Sequence, residues 1–277
     1  MRASAAHRQD SWNRAVWIGG TIVGVAISVA LLAGVLAPHA PSEQQLSRGL
    51  EGPGWTHPFG QDKLGRDILS RVVYGARISM AVGLTTVAVS ASLGIGVLAG
   101  YAGGAIDEAL MRLTDMFLAF PGILLAIALM AILGPSLRNV VIALCLMGWV
   151  GYARLVRGQV LTLREQEFVH AAHALGAPAW RIMGRHLLPN ALAPVMVEAS
   201  FGLAGAIVAE AGLSFLGLGA QPPTPSWGSM LNEGRAFILV APHLTIFPGL
   251  AIMLLVLGCN ILGDGLRDAF DPKQRGR

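Results

Sequence analysis

The sequence predicts an all-α polytopic membrane protein with six transmembrane helices. Three observations carry that prediction. Hydrophobic residues make up 54% of the 277 positions against 13% charged, and mean hydropathy is +0.60, far from the balance of a soluble domain. Six apolar stretches approach the roughly 20 residues that a helix needs to cross ~30 Å of hydrocarbon. Between the fourth and fifth lies a polar, arginine-bearing interruption at 165–189, EQEFVHAAHALGAPAWRIMGRHLLP.

In chain order, a cytoplasmic tail over 1–16 precedes a first span over 17–37. The apolar run there, about 21 residues, exceeds the 7–15 of a signal-peptide core, so it is read as an uncleaved helix. Residues 38–77 form a periplasmic loop, rich in Pro and Gly at first. Leu64, Ile68, Leu69, Val72 and Val73 then recur at helical spacing against Arg66, Asp67 and Arg71, predicting an amphipathic helix that leads into the second span. Such a helix is an interfacial anchor, with a ligand or partner contact as the alternative. A five-helix core at 78–263 holds spans over 78–100, 116–134, 140–156, 191–216 and 241–262, and 264–277 is a second cytoplasmic tail.

Charge sets the orientation. With both termini, the 100–115 loop and the 165–189 insert on one side, that side carries 13 of the 20 Lys and Arg, which makes it the cytoplasm. Arg66, Arg71 and Arg77 crowd the opposite side, where charges in a longer loop count for less. The net charge of +4 does not point to nucleic acid, because the basic residues are neither clustered nor interleaved with aromatics. Cys145 and Cys259 both fall within spans and read as apolar packing.

The insert divides into two short helices. Phe168, Ala171, Ala172 and Leu175 fall at i, i+3, i+4 and i+7, one apolar stripe. Gly176, Ala177 and Pro178 break it, and a second helix carrying Trp180, Ile182, Met183 and Leu187 is expected to stop before Pro189. Small residues at Ala171, Ala172 and Gly176 admit a close partner, and Arg181 and Arg185 are free to meet acidic groups. The alternative is a hairpin that packs beneath its own bundle.

Catalytic chemistry is missing from the sequence. Neither Lys63 nor Lys273 sits in GxxxxGK[ST], and HExxH, GxSxG and zinc-ligand spacings do not occur, so no catalytic residue, metal site or bound cofactor is expected of this chain. Glu198, about a third of the way along the fifth span, is the clearest intramembrane carboxylate and a candidate for a transport path, with a helix-to-helix hydrogen bond as the alternative. Glu210, twelve residues on and ~120° around the helix, is expected near the outer surface. Gly96 and Gly100, or Gly100 and Gly104, offer small-residue helix contacts, and Pro121 and Pro248 interrupt two spans. Trp227 follows a proline-rich outer loop and is a candidate contact for an outside partner or an interfacial anchor.

Several of these stretches carry a resemblance. Ala171-Ala172, Gly176 and His186-Leu187-Leu188-Pro189 resemble the cytoplasmic EAA loop of ABC importer permeases. HPFGQDKLGRDILSR at 57–71, DMFLAFPGILLAIAL at 115–129, GLSFLGLGAQPPTPSWGSM at 212–230 and NILGDGLRDAFDP at 260–272 are similar to the dipeptide/oligopeptide/nickel permeases, specifically their second, C-type subunit. The resemblance implies a type I importer fold in a bacterial inner membrane, half of a pore shared with a second homologous permease in a heterodimer. It implies two ATP-binding subunits that hold ATP and Mg, and a periplasmic or lipid-anchored substrate-binding protein, for which Trp227 is the candidate contact. The loop would couple ATPase motion to alternating access through Glu167, His170, Ala171, Ala172, Gly176, Arg181, Arg185 and Pro189, with Glu198 on the path. Here His170 replaces the glutamate that names the motif, and Glu167 one turn earlier could substitute for it. Short peptides are the implied cargo, with nickel chelates, glutathione or another small solute as alternatives. An ion-coupled secondary transporter would need mid-membrane coupling residues and repeated halves, which are not visible. A membrane-anchored scaffold would need the insert alone.

Overall fold

The computed structural model describes residues 2–92, 96, 100, 101 and 103–270, of which 2–13 are described as helix backbone. The side chains of residues 1–13 in the first tail and residues 271–277 lie outside it, as does most of 93–102 at the end of the expected second span. Among the described residues there is no strand, only an isolated bridge between Gln61 and Asp67. Five helices are long and apolar enough to cross a membrane, and a sixth span results if one bent pair is counted together.

Helix α1 (Arg2–Leu31) is followed by a turn of helix, α2 (Ala33–Leu36), and an irregular loop. Helix α3 (Ile68–Ser90) is capped by Asp67, whose carboxylate accepts from Ser70 N–H at 2.7 Å, satisfying one of the orphan donors of a first turn. The bent pair is α4 (Gly104–Leu118) and α5 (Gly122–Leu133), meeting at 83°. Pro121 stands at the break, where it lacks the N–H that would continue the ladder, so the expected third span is two helices. Helix α6 (Leu137–Arg164) extends well beyond the expected 140–156 and carries Arg154, Arg157 and Arg164 out of the apolar region on its last turns.

Helix α1 packs along α11 (His243–Phe270), and α9 (Leu188–Phe215) packs on both α11 and α3, with α10 (Trp227–Gly234) wedged between α9 and α11. The α1–α11 seam is a close approach of backbones. A Cβ added at Gly258 would meet Ile22 Cβ at 2.8 Å, and one at Gly265 would meet Val16 N at 2.7 Å. In lipid, where apolar burial drives little association, such seams are held by packing that only small residues permit. Gly96 and Gly100 do the same against Val156 and Val160 of α6, as their spacing predicts, whereas Gly104 faces open space. Pro248 lies inside the continuous α11 rather than at a break.

The loop before α3 departs from expectation. The expected helix begins at Ile68 rather than at Leu64, residues 57–67 being turns, and Arg66, Asp67 and Arg71 are buried rather than facing solvent. Asp62 accepts from Arg66 Nε at 2.6 Å, and Glu233 of α10 accepts from Arg66 Nη2 at 2.5 Å and from Arg71 Nη2 at 3.2 Å. Phe59 stacks on Phe247 with centroids 3.9 Å apart. The polar residues therefore face inward because partners far along the chain neutralise them, and a buried charge is tolerated only when paired in this way.

Candidate functional site

The insert is built as two helices, and its bend has a local cause. Helix α7 (Glu167–Ala174) ends with Gly176 at φ +77, the left-handed conformation that glycine adopts without a Cβ penalty. Gly176 N–H donates to His173 O at 2.9 Å, and Ala177 N–H donates to Ala172 O at 3.1 Å, which is the paired bonding of a Schellman motif. After Pro178 comes α8 (Ala179–Ile182), and here the expected stop before Pro189 does not occur. The chain passes through a π-helical turn, Met183–Leu187, into α9, with Leu188 N–H donating to Met183 O five residues back. Widening one turn lets the helix absorb Pro189, whose missing N–H would break a regular ladder.

Val169, Ile182 and Leu187 are buried together with Tyr152, Val156 and Val160 of α6 and Val195 of α9. These residues fix the insert to the bundle. The stripe read from the sequence points the other way: Phe168 is exposed, Leu175 is 87% exposed and Trp180 is 67% exposed. Glu167, His170, Ala171, Gly176, Arg181, Arg185 and Pro189 are all exposed on this surface, while Ala172 turns inward, half-buried against the α6 cluster. The Arg181 guanidinium lies 5.4 Å from the Trp180 ring centroid. His173 is tied to Tyr101, with Nε2 and the phenol oxygen 3.0 Å apart.

Arginines at the same end lock α4 to α6. Asp107 accepts from Arg157 Nε at 2.5 Å and Nη2 at 2.6 Å, and Asp115 pairs with Arg154.

Glu198 lies eleven residues into α9, ~15 Å from its start, and lines a cavity of about 290 Å³ between α3, α6 and α9. Glu210 is turned into the bundle. It is fully buried, accepting from Ser79 Oγ of α3 at 3.3 Å and Ser214 Oγ at 2.7 Å. Trp227 is not presented outward either: it is 3% exposed, and its indole N–H donates to Val72 O at 2.9 Å. Packing of α10 against α3 overrides the reading of Trp227 as an outer-surface contact, and Ser226 caps that helix through a reciprocal bond with Ser229. Sequence spacing also gave no sign that His39, His57 and Asp67 gather. His57 Nδ1 is 2.9 Å from Asp67 Oδ1, and the ligand atoms of the three residues lie within 4.8 Å of one another. Asp67 Oδ2 already accepts from the N–H and hydroxyl of Ser70, each at 2.7 Å, so Asp67 is engaged as the cap of α3.

Residues 92–276 match the family model described as binding-protein-dependent transport system inner membrane component. The chain is 48% identical over 272 residues to the dipeptide transport system permease protein DppC of Alkalihalophilus pseudofirmus, covering 98% of this chain and 90% of that one. It is equally 48% identical over 257 residues to the glutathione transport system permease protein GsiD of Pectobacterium atrosepticum, covering 92% and 85%. Among solved structures, inward-facing MetNI methionine ABC transporter aligns with a TM-score of 0.55 at 19% identity, over 73% of this chain and 97% of that one. At that identity the likeness concerns the fold.

Proposed function

Because this chain belongs to the family of binding-protein-dependent transport inner membrane components, we propose that it forms half of the pore of an ATP-driven importer of short peptides. The relatives named for dipeptide and for glutathione stand at the same identity, and both cargoes are small peptides, so the reading takes that class as a whole. A second, homologous permease completes the pore. Two ATP-binding subunits sit beneath it, and a substrate-binding protein delivers cargo from outside. Both termini and the insert lie in the cytoplasm. ATP and Mg are held by the ATP-binding subunits, and this chain performs no hydrolysis.

One observation carries the reading. The 165–189 insert presents Phe168, Ala171, Leu175, Trp180 and Arg181 outward while Val169, Ile182 and Leu187 anchor it to α6, and its second helix continues into α9. An exposed face of aromatic, aliphatic and cationic groups is suited to an acidic-rimmed groove on a partner. When ATP draws the two ATPases together, the seated insert moves with them and α9 follows, shifting the pore between inward- and outward-facing states. Exposed His170 takes the position of the motif glutamate, and Glu167 supplies an acidic group on the same helix.

The test is made on the assembled importer in proteoliposomes. Ala171→Trp adds bulk on the exposed face without touching the buried anchors. It is expected to abolish peptide uptake and release the ATPases from the membrane complex, while the permease pair still purifies intact. Unchanged uptake with full ATPase retention would sink the coupling role, and uptake driven by an ion gradient without any ATPase would return the chain to secondary transport.

A further inference from the structure

Three buried polar atoms without a hydrogen-bond partner converge on one place. Thr86 Oγ1 and Ser90 Oγ of α3 and Tyr152 Oη of α6 are each unpartnered, their residues are 6%, 1% and 3% exposed, and all three line the 290 Å³ cavity that also holds the Glu198 carboxylate. Buried polar groups are otherwise almost always satisfied, and each exception requires a cause. Glu198 makes no ion pair among the described residues, although an ionised carboxylate inside a membrane is costly unless something cationic meets it. These four groups come from three different helices.

The walls make room for the polar groups. A Cβ at Gly202 would lie 2.5 Å from Tyr152 Oη, and one at Gly148 would lie 3.0 Å from Ser90 Cβ. Glycine at both positions lets the Ser90 and Tyr152 hydroxyls sit against the neighbouring helix, in the wall of the space. Leu144, Met147 and Val87 supply apolar surface beside them. At about 290 Å³ the space sits at the small end of ligand pockets, which run from roughly 300 to 1,000 Å³.

We propose that this cavity is a recognition subsite for the protonated amino terminus of a short peptide, with Glu198 as the ammonium partner. A primary ammonium has three donors and no acceptor, and it matches one carboxylate plus hydroxyl oxygens. The Thr86 and Ser90 hydroxyls, closed off in the cavity wall, turn about χ1 to donate to the first peptide carbonyl, and a small apolar side chain rests on Leu144 and Met147. The permease would then select its cargo itself, in addition to any selection by a binding protein. This proposal rests on the reading of the chain as a peptide importer, but its test does not depend on coupling to ATP.

The assembled permease pair with its ATPases, without binding protein, is dialysed to equilibrium against radiolabelled dialanine, N-acetyl-dialanine, alanine and spermidine. Saturable binding of dialanine is expected, weakened on the order of 10-fold or more by N-acetylation, Glu198→Gln and Tyr152→Phe, and largely kept by Glu198→Asp, as for a lost charge-assisted hydrogen bond. Alanine or spermidine binding as tightly as dialanine would overturn the assignment to peptide in favour of a general amine site. Dialanine binding untouched by Glu198→Gln, or no saturable binding into the millimolar range, would overturn the subsite outright. A complex that binds dialanine in this way yet shows no ATP-dependent uptake would refute the importer reading and leave the ammonium site standing.

Discussion

Removing Glu233 should cost the fold heavily for a single side chain. Its carboxylate receives Arg66 Nη2 at 2.5 Å and Arg71 Nη2 at 3.2 Å, and the arginine side chains are 5% and 2% exposed against 22% for Glu233. In Glu233→Ala two guanidiniums share Asp62 alone, which Arg71 Nε approaches only to 3.7 Å. One buried positive charge is left uncompensated. Breaking a buried pair from one side costs about 3–5 kcal/mol, and at this chain length that corresponds to a fall in melting temperature of roughly 10 °C. Glu233→Gln keeps an acceptor and should lose about half as much. Thermal unfolding in detergent, followed by tryptophan fluorescence, reads the difference. Adding Arg71→Met to the alanine variant should recover stability, because it removes the orphaned charge. If Glu233→Ala melts with the wild type, the loop is not held by this network and the argument fails.

Other expectations follow from packing. Gly258→Leu forces a side chain onto Ile22, where even a Cβ would be 2.8 Å away, and should destabilise by about 1–3 kcal/mol, seen as a lower melting temperature; equal melting would mean that α1 is loosely docked. Trp227→Phe keeps an aromatic group but removes the bond to Val72 O, a loss of about 1 kcal/mol with a further cost for the volume given up in a buried site, which denaturant titration should resolve, and substrate-binding-protein affinity should not change because the indole is buried. Ile182→Ala opens the fully buried contact of the insert with α6, costing about 2–5 kcal/mol if the whole chain senses it. Faster hydrogen exchange confined to 167–187 would instead show local release of the insert.

Much of this architecture is legible from local pattern. The spans at α1, α9 and α11 are long apolar runs, and a helix in lipid must satisfy its own backbone, so length and composition suffice. The 57–67 segment defeats the same reasoning. Helical periodicity assumes that polar residues face water, and here Arg66 finds Glu233 across 167 residues of sequence, a pairing no window can contain. Pro189 signals a stop because the regular ladder cannot hold it, and a π-turn is the exception that can. Periodicity identified the Phe168 and Leu175 stripe but carried no sign for which way it points. Only the burial of Val169 and Ile182 supplies that sign. Of the cavity, Glu198 stood out by charge, whereas Thr86, Ser90 and Tyr152 are ordinary residues in their helices until three elements bring their hydroxyls together.

The π-turn has a mechanical meaning. Without it Pro189 would make a joint, and a push on Trp180 would be spent in bending there. With it, residues 179–215 form one continuous helix, Pro194 included, and Trp180 at the exposed tip belongs to the same helix as Glu198, eighteen residues and ~27 Å along. A tilt of about ten degrees pivoting at the tip would carry Glu198 sideways by roughly 5 Å at that rise per residue, more than the reach of a hydrogen bond. The helix from tip to cavity is then a single lever arm, so grip on a bound ammonium is set by the angle at which the tip is held.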